Sequence, residues 1–203
     1  MSPERSSASD GSHRSSSHRP EAPYGRRLPA AAVPQRQVDD FAYALDSGPG
    51  ASGRATVVCG ARGSGRTALL AAYHEVAASR RWRSVRCSAA QPFLGQLTRE
   101  VLPGMLLDLG GDTATAVPEP DVRHWLMKVL DRLAARSSGL LLTLDDASAE
   151  AVGEVQELGE AIAFAFSERA PVAIAIAGTV REIDELTRAD DSEFLRRADR
   201  TEL

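Results

Sequence analysis

Three short segments carry residue types suited to handling phosphate. The first is Gly60-Ala61-Arg62-Gly63-Ser64-Gly65-Arg66-Thr67, which fits G-x-x-x-x-G-K-[ST] except that Arg66 stands at the Lys position. Gly60, Gly63 and Gly65 allow backbone conformations that a Cβ would block. Successive N–H groups from Gly60 to Ala68 can then line an anion-binding nest, and the helix that follows adds the positive end of its dipole. The Thr67 hydroxyl is placed to ligate Mg²⁺. Arg66 keeps the positive charge on a bulkier, planar group. Three outcomes follow: binding with altered geometry, binding with slow hydrolysis, or an arginine that points out of a defunct site.

The second segment, Leu140-Leu141-Leu142-Thr143-Leu144-Asp145-Asp146, is an apolar strand ending in two carboxylates. Asp145 fits a ligand that holds Mg²⁺ through its water, and Asp146 fits the group that orients an attacking water. Glu is usual in the second place. Asp is one methylene shorter, a shortfall of about 1.5 Å, and misplacement of about 1 Å can cost roughly 100-fold in rate. The competing reading makes Asp146 or Ser148 an N-cap of the next helix. The third segment, Ala175-Ile176-Ala177-Gly178-Thr179, delivers a hydroxyl. Thr179 fits a polar sensor of the γ-phosphate, and it equally fits an N-cap with Glu182 completing a capping box.

These segments need elements to hold them. Val38, Phe41, Ala42 and Leu45 recur at helical spacing until Ser47-Gly48-Pro49-Gly50 breaks the chain. Thr56–Cys59 reads as a buried strand, Thr67–Ala78 as a helix and Val85–Cys87 as a second strand. Residues 91–109 are helical in pattern, with a break or kink at Pro103-Gly104. A loop over 110–120 precedes an amphipathic helix, Val122–Ala135. Leu140–Leu144 and Val172–Ala177 are strands covered on both faces. Helices are expected over 148–168, 180–187 and 191–198. Alternation of this kind means an α/β fold, a parallel sheet with helices on both faces. Its ligands bind at the C-terminal strand ends, where all three segments fall.

Composition narrows the class further. The 203 residues hold 33 Ala, and of 24 basic residues only Lys128 is not Arg, a bias that points to a GC-rich bacterial genome. The longest apolar run is far short of 18 residues and the N-terminus has no apolar segment, which excludes a membrane span and a secretory signal and leaves a cytoplasmic protein. Residues 1–34, with eight Ser, five Pro and five Arg, cannot bury enough surface to fold and read as a disordered tail. The body, 35–203, has 19 basic and 25 acidic residues and makes nucleic acid an unlikely partner. His13, His18, His74 and His124 form no ligand pair, so no metal beyond nucleotide-bound Mg²⁺ is expected. Cys59 and Cys87 read as small core residues.

The sequence resembles the AAA-type ATPases, in particular bacterial ATP-binding proteins related to the archaeal origin-recognition ATPases. The resemblance rests on Asp39-Asp40-Phe41, Ala44 through Gly50, Gly53-Arg54-Ala55-Thr56, the phosphate loop with Thr67-Ala68-Leu69-Leu70, Gly139 through Asp146, Pro171 through Gly178 and Phe194 through Arg200. It implies a P-loop NTPase sheet of 5-1-4-3-2 order that binds ATP and Mg²⁺. In that order the strands of Cys59 and Cys87 are not neighbours, which argues against a disulfide. It also implies that Arg196, Arg197 or Arg200 serves as an arginine finger toward another subunit, against the plainer reading of solvated helix charges. Arg66, Asp146 and Val33-Pro34-Gln35 depart from the family pattern, the last standing in place of Val-Gly-Arg. The chain reaches Thr201-Glu202-Leu203 where the fifth strand would begin, and the helical lid has no counterpart. A truncated fifth strand is therefore expected to leave the first strand with an open edge, available to a second copy or a protein partner. Nucleotide binding with weak hydrolysis, and a switch or relic without turnover, both remain as readings of function.

Overall fold

The computed structural model describes residues 33–114, 119–188 and 193–203. The expected tail falls on residues 1–32, outside the described residues, apart from Val33 and Pro34. The described chain runs α1 (Gln35–Asp46), β1 (Ala55–Cys59), α2 (Arg66–Ser79), β2 (Arg83–Ser88), α3 (Leu94–Gln96), a π-helical turn (Leu97–Val101), α4 (Leu102–Asp108), α5 (Val122–Ala134), β3 (Leu140–Asp145), α6 (Val152–Ser167), β4 (Val172–Gly178), α7 (Val180–Arg188), α8 (Glu193–Arg197) and β5 (Asp199–Glu202). All strand pairs are parallel and their order is β2-β3-β4-β1-β5.

Strand alternation assigns the two faces. Val172, Ile174 and Ile176 join Leu140, Leu142 and Leu144 in the core under α3 to α8. Ala173, Ala175 and Ala177 face the other way, with Leu141 and Val58, toward α1 and α2. Small residues on that face let α2 lie close to the sheet. Phe41 of α1 stacks on Tyr73 of α2 with ring centroids 4.1 Å apart. Arg54, only 2 % exposed, donates from Nε to Ala44 O (2.9 Å) and from Nη2 to Leu45 O (2.5 Å), so the residue entering β1 satisfies the last carbonyls of α1. No helix among the described residues is long and apolar enough to cross a membrane.

Two expectations change. Pro103 does not break its helix. It occupies the first turn of α4, and the chain widens into a π turn just before it, which accommodates the ring and the lost N–H. The open edge of the first strand is also corrected. β5 forms over four residues, pairing Thr56 with Asp199 and Cys59 with Glu202, and Leu203 N–H continues the ladder to Cys59 O at 2.9 Å. β5 is polar throughout, so hydrophobic periodicity does not reveal it. It is fixed by backbone bonds and by Asp199 Oδ2, which accepts from Ser52 Oγ (2.8 Å) and from Gly53 N–H. The sheet edges are β2 and β5.

His74 is a polar feature of the core that periodicity does not find. It is 6 % exposed, and its Nε2 lies 2.8 Å from Thr143 Oγ1 on β3. Burial, with the nearby charge of Arg86, pushes its pKa down to about 4. The unfolded chain takes up this proton near pH 6.5 and the folded chain near 4, so stability is complete above the upper value and falls as pH drops between them. Wild type should lose about 2 kcal/mol more than His74→Gln across that window. Urea melts of both proteins at pH 7.5 and 4.5 check this; parallel losses would sink it.

Candidate phosphate site

The three chemical segments converge at the C-terminal ends of β1, β3 and β4, as the topology requires. The register pairs Cys59 with Gly178 on one side, and Gly60 N–H bonds Gly178 O at 3.4 Å. Gly63 (φ 81°) and Gly65 (φ 101°) are in the left-handed region, which gives the loop its turn before α2. Gly60 is needed for space, since a Cβ there would meet Ser64 Oγ at 2.5 Å. Ala61, Arg62 and Gly63 are exposed at the loop tip. The N–H groups of Arg66, Thr67 and Ala68 open α2 and have no partner within the helix.

Thr67 and Asp145 meet. The Thr67 hydroxyl donates to Asp145 Oδ2 at 2.7 Å, joining residues 78 positions apart. The other carboxylate oxygen, Oδ1, accepts from Asp146 N–H at 2.9 Å. The main-chain carbonyl of Asp145 accepts from Ala89 N–H just beyond β2, at 2.8 Å.

Arg66 points inward, at 9 % exposure, and its Nη1 is buried without a hydrogen-bond partner. Ser64 Oγ is likewise buried and unpartnered. Ser64 Oγ and Arg66 Nη1 thus give one loop two buried polar groups with room for a further partner, as Arg54 Nη1 has in the α1–β1 clamp. The donors of this loop are of a kind that suits a phosphate group, and the Thr67 hydroxyl and the Asp145 carboxylate are oxygen donors of the kind that hold Mg²⁺.

Asp146 is exposed and has φ 53°. Asp and Asn tolerate this conformation far better than most residues, which gives a backbone reason for Asp here in place of Glu. The competing cap at Ser148 precedes a 3-10 turn, Ala149–Ala151, and makes no side-chain cap bond. Thr179 forms the capping box: its N–H donates to Glu182 Oε2 (2.8 Å), and Glu182 N–H donates to Thr179 Oγ1 (3.3 Å). Of the arginines near the C-terminus, Arg200 is held by Asp184 (2.8 Å) and Glu202 (3.0 Å), and Arg197 by Glu193 (2.5 Å). Arg196 donates to Thr187 O at 3.3 Å.

Two clefts lie elsewhere. One of about 670 Å³ opens at the opposite end of β1, between the 50–53 loop, α6 and α8. Another of about 770 Å³ runs beside the edge strand β2, between α2 and α4. Neither includes any of the three segments. Cys59 and Cys87 are free thiols on strands separated by β3 and β4. Among the described residues no group of three or more His, Cys, Asp or Glu could hold a metal.

With this geometry in hand, solved structures identify the architecture. The ORC2 protein of Aeropyrum pernix, solved as ADPNP–ADP complexes, superposes with a TM-score of 0.60 at 16 % identity, over 92 % of this chain and 50 % of that one. The chain shares the fold of that structure, with its own parallel sheet in the order β2-β3-β4-β1-β5. The ORC1 protein of the same organism, solved in complex with DNA, gives 0.51 at 16 % identity, over 87 % and 45 %. The chain spans about half the length of these structures. No protein-family model matches it, and no curated protein does.

Proposed function

We propose that residues 35–203 form an AAA-type domain that binds ATP with Mg²⁺ at the phosphate loop and hydrolyses it weakly. The observation that carries this reading is the 2.7 Å bond between Thr67 and Asp145 at the mouth of a loop whose Arg66 has no partner for its buried Nη1. Bound Mg²⁺ would supply charge neutralisation on the phosphoryl oxygens. The chain's own contribution is positional. The loop from Gly60 to Ala68 offers N–H donors, Arg66 offers the cationic donor, and Thr67 and Asp145 offer the oxygens for the metal.

Weak turnover follows from two features. Asp146, the group for orienting water, is exposed on a left-handed backbone, and Thr179 is engaged with Glu182. These features favour a slow switch over a fast engine. The state of the switch would be read by a protein partner or a second copy. Mg-ATP at 100 times Kd should stabilise the chain by about 2.7 kcal/mol. Asp145→Ala should remove the Mg²⁺-dependent part of that gain while leaving a smaller shift with ATP in EDTA. Thermal melts with both ligands measure this. An unshifted wild type would leave the relic as the better reading.

A further inference from the structure

The two edges of the sheet differ. β5 is four residues long, whereas β2 runs over six and lies between α2 and α4. Arg83 N–H donates to Gly139 O and Ala89 N–H to Asp145 O, both at 2.8 Å, which fixes the phase of the ladder with β3. In a parallel pair, a residue that bonds one neighbour turns both its N–H and its C=O that way, and the next residue turns both away. Val85 therefore faces β3, while Ser84 and Arg86 turn their backbone groups outward. Both residues are exposed, and among the described residues nothing bonds those backbone groups.

This edge lies in the cleft of about 770 Å³ beside β2. Ala78 and Trp82 line the cleft on the α2 side, Val101 and Met105 on the α4 side. Side-chain alternation divides the floor in the same way. Arg83 shares the α4 face with buried Val85, and Arg86 shares the α2 face with Ser84. Both arginines are exposed. Among the described residues neither makes an ion pair, although Glu75 and Asp108 line the same cleft.

We propose that the outer edge of β2 is a docking site for an extended segment of a partner protein, which adds to the sheet as a further strand between α2 and α4 and sets two acidic side chains against Arg83 and Arg86. The free donors and acceptors of Ser84 and Arg86 supply the ladder. Cross-strand neighbours share a face, so the position beside Ser84 meets Ala78 and Trp82, and the position beside Val85 meets Val101 and Met105. The segment that fits therefore reads acidic, apolar, apolar, acidic, in either chain direction. A second copy is a poor occupant. Its own edge lies between the same two helices, and it would bring arginines toward arginines, a device that keeps sheet edges apart.

Fluorescence anisotropy of the full chain tests this with two labelled peptides, one centred on Glu-Val-Ile-Glu and one on Lys-Val-Ile-Lys. The acidic peptide is expected to bind about tenfold more tightly, because two cross-strand pairs change from attraction to repulsion. Arg83→Glu combined with Arg86→Glu should reverse the order. Methylating the backbone nitrogens of alternate peptide residues separates the ladder from the charges: one phase should abolish binding and the other preserve it. No binding of the acidic peptide overturns the proposal, and so does equal binding of the two peptides or equal loss in both methylation phases. A dimer in light scattering that the acidic peptide fails to dissociate also overturns it, in favour of a second copy as the occupant.

Discussion

Replacing Arg66 by Met is expected to raise the melting temperature of the ligand-free chain and to abolish most of its response to Mg-ATP. The two effects have one cause. In the folded chain Arg66 is 9 % exposed and its buried Nη1 finds no acceptor. An unsatisfied buried donor costs about 1–3 kcal/mol. Met retains the apolar stem and removes the donor, so a gain of about 1 kcal/mol is expected, or about 2–4 °C for a chain of this size. The same donor is the one that the proposed site offers to phosphate. Truncating the charged partner of a buried ionic contact costs about 2–5 kcal/mol of binding. At a nucleotide concentration of 100 times the wild-type Kd, a hundredfold loss leaves about 0.4 kcal/mol of stabilisation from about 2.7. Differential scanning fluorimetry with and without ligand reads both at once. A variant that melts lower without ligand and shifts fully with it would place Arg66 outside the site.

Gly139→Ala should have the largest effect on stability. Gly139 immediately precedes β3; its carbonyl accepts from Arg83 N–H (2.8 Å), and the next residue's N–H donates to Pro171 O (2.9 Å). A Cβ at this position would lie 2.6 Å from that same Pro171 oxygen and 2.6 Å from the Trp82 ring. Trp82 can shift, but the Pro171 carbonyl is part of the ladder joining β3 to β4. Overpacking against such backbone costs about 3 kcal/mol, a fall of about 6–12 °C. The control is Gly153→Ala on α6, where nothing lies within 4 Å and Ala should add about 0.5–1 kcal/mol. Equal melting of the two variants would refute the clash.

Much of the fold is legible in the sequence because burial on both faces leaves a plain mark. Leu140–Leu144 and Val172–Ala177 read as central strands, and the structure puts them there. What the run of alternating Ile and Ala does not disclose is which helix covers which face. β5 escapes for a related reason: it lies at an edge, and its side chains are spent on Asp184, Ser52 and each other. The phosphate segments are legible as single pieces, through glycine spacing and paired carboxylates. Their coupling is not. The Thr67–Asp145 bond, the His74–Thr143 pair and the Arg54 clamp each join segments that only the folded sheet and its helices bring together. Thr179 fits two roles that do not exclude each other, and its reciprocal bonds with Glu182 show the cap.

The placement of β1 has a consequence for how the loop behaves in time. β1 is hydrogen-bonded along both edges, to β4 and β5, and these bonds reach Gly60 and Leu203 at the loop's base. Its amides bonded to β4 should be among the slow ones in the chain, whereas those bonded to the four-residue edge strand β5 exchange whenever that strand detaches. The stem of the phosphate loop is therefore already rigid before any ligand arrives. An anion entering the proposed site would then have little of the loop's stem left to order.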